Sequence, residues 1–278
     1  MKKLVLLFVL AFASFGCSDN DDSQPEVLGC TDPTSLSYDP TANTDDGSCI
    51  YTKNVTFNFT QNWDGKAVTV ADFNTTPYTN AFGNTLQISK LRYLVSRISL
   101  HKADGSTVDF EEYKLIDLTE PASLTLTPAI MATTGDYTGI SFTYGFTEKD
   151  NTSGAYPDLN AATWNWPAML GGGYHFMQME GSYNDTAGAP QPYAYHNGTA
   201  RVSPDVFEQN YISFNFNQNF TINDDTTIEI KMNIAEWYKN TYLWDLNVYN
   251  SGLMMIYDAQ IRMHENGSTV FSIGQISQ

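Results

Sequence analysis

The side chains of this chain best suited to chemistry are its histidines, because imidazole binds metals and exchanges protons near neutral pH. The chain has four of them: His101, His175, His196 and His264. His175 lies in the segment GYHFMQMEG, residues 173–181. In a strand, alternation would place His175, Met177 and Met179 on one face, where imidazole and thioether ligands suit Cu(I). The interpretation favoured by base rate is that both methionines fill the core.

The sequence lacks the standard catalytic signatures. It contains no G-x-S-x-G nucleophile elbow, no H-E-x-x-H zinc site and no P-loop. His264-Glu265 is followed by Asn266-Gly267 and no second histidine, which excludes a helical zinc protease. A glycosidase would need two facing carboxylates. The candidates for such a pair are Glu111, Glu112, Glu180 and Glu236. Their spacing indicates no pair, so we expect a protein that is not an enzyme.

The apolar pattern predicts that β-strands position these residues. Apolar and polar residues alternate in segments 55–59, 140–144, 212–216 and 228–232. Further strands are predicted at 91–100, 113–118, 174–183 and 270–273, separated by Gly, Asn, Asp and Pro. No stretch holds an apolar period of 3.6 for three turns, so only short helices are expected, in Leu159–Met169 and near Ala235–Lys239. The predicted fold is all-β: an antiparallel β-sandwich or barrel-like domain over residues 53–275, with an elaborate loop around 145–172.

The charge excludes nucleic acid as a partner. The formal net charge is −17, while only 16% of residues are charged and 14% are aromatic. Such an acidic surface repels phosphate backbones, and no cluster of Lys or Arg offsets it. The composition is typical of an extracellular β protein.

The first residues predict export and a membrane anchor. Residues 1–16 join a Met-Lys-Lys start to an apolar run, as in a secretory signal peptide. Cys17 follows a small residue and resembles the lipidated cysteine of a bacterial lipobox; the alternative is ordinary cleavage beside an incidental cysteine. The acidic segment that follows resembles the surface-export signal of Bacteroidetes lipoproteins. We therefore expect an acidic tether over residues 17–28 and an outer-membrane lipoprotein exposed at the cell surface.

Residues 29–50 form a small module framed by Cys30 and Cys49. Because an exported chain matures in an oxidising compartment, these cysteines are predicted to form a disulfide worth about 3 kcal/mol. Four aspartates in the module suggest calcium as an alternative: Asp32, Asp39, Asp45 and Asp46. The alternating ligands of an EF-hand are absent, so a disulfide-stapled spacer is preferred.

Three segments carry a resemblance to a known family. Trp164-Asn165-Trp166 precedes GYHFMQMEG, Tyr195-His196-Asn197-Gly198 follows downstream, and residues 91–100 form an early strand. These segments are similar to the MbnP family of secreted copper-binding proteins, which occurs in methanotrophs and among Bacteroidetes lipoproteins. The resemblance covers residues 53–275 and implies an all-β domain that binds copper through histidine.

By position, the resemblance implies that His196 is the motif histidine. It also implies that Trp164 or Trp166 is oxidised to kynurenine by a di-haem partner protein and helps to coordinate the metal. Copper chemistry adds His175 and His264 as candidate ligands. The expected function is therefore that of a surface-anchored copper carrier or scavenger.

The alternative function is a glycan-binding surface lipoprotein, in which exposed aromatic side chains stack on sugar rings. The candidates are the five tryptophans Trp63, Trp164, Trp166, Trp237 and Trp244. A structure separates the two hypotheses. Copper is favoured if His196 and a second histidine or methionine lie within about 4–5 Å of each other beside Trp164 or Trp166. Glycan binding is favoured if the histidines scatter over the surface and the tryptophans line an open groove.

Overall fold

The computed structural model describes residues 24–278, and the chain divides into two compact units after Cys49. The signal segment 1–16, Cys17 and the tether as far as residue 23 lie outside the described residues. In the first unit, strand β1 (Leu28–Gly29) pairs in parallel with β2 (Thr44–Asp45). Cys30 and Cys49 form the predicted disulfide, with their Cα atoms 4.8 Å apart.

The second unit, Ile50–Gln278, contains the remaining strands. They are β3 (Thr52–Lys53), β4 (Val55–Trp63), β5 (Lys66–Ala67), β6 (Tyr78–Thr79), β7 (Thr85–Lys102), β8 (Thr107–Asp117), β9 (Thr125–Leu126), β10 (Ala132–Thr133), β11 (Gly135–Tyr144), β12 (Met177–Asn184), β13 (Pro190–Asn197), β14 (Ala200–Ser203), β15 (Val206–Glu208), β16 (Ile212–Ile222), β17 (Thr226–Asn233) and β18 (Phe271–Ser277).

Two large sheets enclose an aromatic core. The seven-stranded sheet runs β13-β12-β7-β11-β16, with β6 and β8 also paired to β7. The five-stranded sheet runs β18-β17-β4-β5, with β9 also paired to β4. Rings of the two sheets meet at 5.3 Å between centroids, Phe57 with Phe110 and Phe142 with Phe271. The all-β sandwich is thus confirmed, although β4 and β17 pair in parallel, since the chain between them passes through the other sheet.

The helices are few. The α-helices are α1 (Pro157–Ala161) and α2 (Tyr257–Gly267), and the 3₁₀ helices are Val70–Asp72, Pro121–Leu124, Ala168–Leu170, Ile234–Tyr238 and Leu253–Met255. Within residues 24–278, none of the helices has the length and apolar character needed to span a bilayer.

Helix α2 departs from the expectation that all helices are short. Its buried residues are Ala259, Gln260, Met263, Asn266 and Gly267, which follow helical spacing but include two amides and a glycine. The amides pair with main-chain oxygens of neighbouring elements: Gln260 Nε2 donates to His196 O at 2.8 Å, and Asn266 Nδ2 donates to Trp237 O at 3.0 Å. An apolar pattern therefore cannot detect this helix.

Strand β7 is the element on which the remaining geometry depends. One of its edges pairs first with β12, through Leu86–Tyr93, and then with β11, through Val95–Lys102. Its other edge pairs with β8. Leu94 marks the change of partner, because its N–H donates to Phe176 O at 2.9 Å and its carbonyl accepts from Gly145 N at 2.8 Å. At Arg97 the register shifts against both β8 and β11, which makes a β-bulge.

Candidate metal centre

The two tryptophans of the W-x-W motif lie in a loop that folds back onto the start of β12. Asn165 forms an isolated antiparallel bridge with Tyr174. Trp166 N donates to Gly173 O at 2.9 Å, and His175 N donates to Trp164 O at 2.8 Å. The Trp166 indole N–H donates to Leu170 O at 3.1 Å. These bonds hold the tryptophans and His175 in one small hairpin-like structure.

His175 lies before the regular strand, which begins at Met177 and not at Tyr174 as predicted. Its ring contacts Trp164 and Trp166, with centroids 5.5 and 4.9 Å away. Strand alternation does not extend to this residue. The His/Met face is therefore not formed, and the favoured interpretation holds: Met177 and Met179 are fully buried in the core, and Met179 Sδ accepts from Tyr238 Oη at 3.7 Å.

His196 reaches the same place from β13. It is paired with Gln178 of β12, and its ring lies 5.4 Å from that of His175, with the two planes at 82°. His196 Nε2 is 3.0 Å from Glu180 Oε1, and the same oxygen accepts from Lys90 Nζ at 2.9 Å. The register of three neighbouring strands thus brings together residues far apart in sequence.

Hydrogen bonding assigns the proton on each imidazole. A carbonyl oxygen only accepts, so His175 Nδ1, 3.0 Å from Trp164 O, carries the proton and Nε2 carries the lone pair. An ionised carboxylate also only accepts, so His196 Nε2 donates to Glu180 and Nδ1 carries the lone pair. The ring of His175 also interacts with the backbone of Asn165.

Burial keeps both imidazoles neutral. It lowers the pKa of His175 to about 4, and the side chain is 6% exposed. Burial also lowers the pKa of His196, against the opposing effect of Glu180. Although burial alone would raise the pKa of Glu180, hydrogen bonds from Lys90 and His196 hold it below its usual value. The pair is therefore a neutral histidine beside an ionised carboxylate.

Arg92 of β7 covers the other side of the centre. Its guanidinium carbon lies 4.9 Å from the Trp164 ring centroid, a cation–π contact, and its Nη2 donates to Gln178 Oε1 at 2.5 Å. Sequence reasoning did not identify Arg92, and it considered Glu180 only as a glycosidase candidate. The strand register could have found both, because Arg92, Gln178 and His196 occupy one row across β7, β12 and β13.

The structure does not bring His264 or His101 to this pair. His264 lies on α2, where its Nδ1 is 3.3 Å from Asn210 O. His101 is half-buried, and its Nε2 is 2.8 Å from Ser141 Oγ. Over residues 24–278, no three His, Cys, Asp or Glu side chains are grouped so that they could hold a metal ion. A metal ion at this place would therefore have His175 and His196 as its histidine ligands.

The tryptophans do not line an open groove. All five lie within the described residues and are buried, with Trp63, at 8%, the most exposed. A sugar-binding surface requires exposed ring faces. His196 and His175 instead lie together beside Trp164 and Trp166, with 5.4 Å between the centroids of the two imidazoles.

Comparisons with known proteins agree with this architecture. A family model described as MbnP matches residues 52–255, which is more than half of the 278 residues. The solved structure of MbnP from Methylosinus trichosporium superposes with a TM-score of 0.52 at 16% sequence identity, covering 81% of this chain and 99% of that one. At this identity the superposition shows a shared fold.

A shorter match concerns an unrelated protein. Ribulose bisphosphate carboxylase/oxygenase activase, chloroplastic, from Spinacia oleracea is 54% identical over 37 residues. These residues are 13% of this chain and 8% of the activase. A match of this extent says nothing about the activity of the β domain.

Lowering the pH from 6.5 to 4 should destabilise the protein through His175. Its pKa in the folded state, about 4, lies below the 6.5 of an exposed imidazole, so the unfolded chain binds the proton first. The contribution of neutral His175 to the free energy of unfolding is complete above pH 6.5. It is lost as the pH falls towards 4, by up to about 3 kcal/mol. Urea unfolding at several pH values measures it.

His175→Gln is the matched variant for this measurement, since it keeps a polar side chain but cannot titrate. Its free energy of unfolding should fall less steeply than that of the wild-type protein over the same pH range. Equal slopes for the two proteins would contradict the assignment of the effect to His175.

Proposed function

This chain belongs to the MbnP family, and from that premise we propose that it is a surface lipoprotein that binds copper through His175 and His196. In this proposal the protein is a carrier or scavenger and not an enzyme. The observation that carries the proposal is the pair of neutral imidazoles, 5.4 Å apart between ring centroids, each oriented by a fixed acceptor bonded to one ring nitrogen.

The donor set fits copper better than a hard divalent ion. Imidazole is a good copper ligand, while Mg²⁺ and Ca²⁺ require several oxygens. The charges around the centre are paired with each other: Lys90 with Glu180 at 2.9 Å, and Arg92 with Asp117 at 3.8 Å. No net negative charge is therefore left at the pair to favour a doubly charged ion. Glu180 would hold His196 in its orientation, as carboxylates commonly do for histidine ligands.

A tryptophan is the proposed source of a further ligand. The described residues supply no third His, Cys, Asp or Glu at the pair. An intact indole offers only an N–H donor, so it cannot ligate a metal until its ring is opened. Oxidation to kynurenine by a di-haem partner, which family resemblance implies, would supply new donor atoms at this position.

Trp166 is the better candidate for that modification. Its ring lies closer to His175 than that of Trp164, at 4.9 against 5.5 Å. The guanidinium of Arg92 covers Trp164, and a positive charge on a ring face opposes the removal of electrons from it. The Trp166 indole also packs directly on Gly198, since a Cβ at that position would lie 2.6 Å from the ring.

Anchoring at the outer membrane remains part of the proposal. It rests on the signal-like residues 1–16, on Cys17 and on the acidic segment behind it. A lipid on Cys17 and the acidic tether would display the β domain away from the bilayer surface.

Substitution of either paired histidine should abolish copper binding. His175→Ala and His196→Ala each remove a neutral nitrogen ligand, so the purified variants should lose most of the copper that the wild-type protein retains after desalting. Metal analysis by mass spectrometry measures this. His264→Ala is the matched control, because His264 bonds to Asn210 away from the pair. Equal copper in the wild type and His196→Ala would contradict the proposal, as would loss of copper from His264→Ala.

Trp166 should carry the mass change of kynurenine formation in protein isolated from its native host. Peptide mass mapping would locate the change, with Trp164→Phe retaining it and Trp166→Phe losing it. Recombinant protein made without a haem oxidase should show no change at either position. Modification confined to Trp164 would contradict the choice made here.

Cys17 should be acylated in cells. Metabolic labelling with a fatty-acid analogue should mark the wild-type protein, whereas Cys17→Ser should remain unlabelled and leave the membrane fraction. Labelling of Cys17→Ser would overturn the proposed anchor.

A further inference from the structure

A cavity of about 670 Å³ lies on the seven-stranded sheet beyond the Arg97 bulge. None of the residues proposed to hold copper lines it. Its size falls within the range of small-molecule sites in proteins. It is therefore a second place where the molecule can receive a ligand.

The floor of the cavity is a row of small polar side chains. Asp109 of β8 is paired with Ser99 of β7, which is paired with Ser141 of β11. Ser99 Oγ donates to Asp109 Oδ1 at 2.6 Å, and His101 Nε2 lies 2.8 Å from Ser141 Oγ. These bonds fix the orientations of hydroxyl, carboxylate and imidazole groups along one line.

The wall of the cavity is aromatic. Phe146 and Tyr156 are stacked at 4.7 Å between centroids, and Tyr113 packs edge-on against both. Tyr156 Oη donates to Asp150 O at 3.0 Å, and Tyr113 Oη donates to Asp158 at 2.5 Å. Phe146 is buried behind the two tyrosines. Because the hydroxyls of Tyr113 and Tyr156 are tied to the protein, these half-buried rings offer a rigid apolar surface next to the polar floor.

Arg97, at the rim of the cavity, has a backbone conformation that is energetically unfavourable for a residue other than glycine. Its φ is 53°, in the left-handed region that favours glycine. Its guanidinium is nevertheless half-exposed and binds Asp150 through two bonds of 2.5 and 3.2 Å. Backbone strain of this kind occurs at functional sites, where a side chain is retained although glycine would be more stable at that position.

The charges of the cavity select against anions, because its lining carries four carboxylates, Asp109, Glu111, Glu112 and Asp150, against Arg97 and Lys149. Arg97 is neutralised by Asp150, and Asp109 is engaged by Ser99 and Thr107. Glu112 accepts from Ala129 N at 2.9 Å. A free anion would have to displace Asp150, and the carboxylates are not grouped as a cation site. What remains is a set of fixed donors and acceptors beside an aromatic face.

We propose that this cavity binds a small neutral saccharide. Vicinal hydroxyls would exchange hydrogen bonds with Ser99, Asp109 and the Arg97 guanidinium, and the apolar face of the sugar ring would pack on the half-buried ring of Tyr156. This site differs from a tryptophan surface, since it uses none of the five tryptophans. It is also independent of copper, because the metal centre lies elsewhere on β7.

The test is titration of the purified full chain with glucose, galactose, mannose, maltose and cellobiose, and with galacturonate as an anionic sugar. Saturation-transfer NMR and calorimetry report binding. At least one neutral sugar should bind, and Arg97→Gly should weaken its affinity about tenfold or more, as expected for losing a charged hydrogen bond. Glycine adopts the local φ without strain, so this variant should fold.

Asp109→Asn provides a second variant that keeps the side-chain shape, and it should also weaken binding. Glu120→Gln is the control, since this exposed carboxylate lies outside the cavity and its loss should leave affinity unchanged. Three results would each overturn the proposal: no sugar binds, only galacturonate binds, or both cavity variants bind like the wild type. Copper loss in His196→Ala has no bearing on these outcomes.

Discussion

The carbonyl oxygen of Trp164 accepts two hydrogen bonds from His175, one from the backbone N–H at 2.8 Å and one from the ring Nδ1 at 3.0 Å. The geometry of the candidate metal centre depends on this double acceptance. The backbone bond closes the tryptophan loop against the start of β12, and the ring bond leaves Nε2 with its lone pair. The other tautomer would place the lone pair on Nδ1, where it would face the lone pairs of Trp164 O.

Strand β7 links this centre to the polar cavity. Its first half supplies Lys90 and Arg92 to the centre, and its second half supplies Ser99 and His101 to the cavity floor. Side chains of a regular strand alternate between faces, so residues of even and odd number do not share a face. The bulge at Arg97 reverses this alternation. One strained residue thus allows one strand to serve two sites.

Much of the fold was predictable from local pattern. The period-two segments became β4, β11, β16 and β17, because residues alternating between core and solvent leave that signature in any half-buried strand. The disulfide was predictable because Cys30 and Cys49 are the two cysteines beyond Cys17. Helix α2 was not, because its buried face carries Gln260 and Asn266, which are satisfied by main-chain oxygens of distant segments.

For the site, the sequence alone determined the residue types: the W-x-W pair, His175, His196 and the Glu180-Gly181 motif. It also offered a face shared by His175, Met177 and Met179, which does not form because the regular strand starts at Met177, three residues later than predicted. Only the tertiary structure decided that His175 meets His196, that Glu180 orients His196 and that Arg92 covers Trp164. The physical reason is strand register, which pairs residues distant in the chain and is set by the packing of the whole sheet.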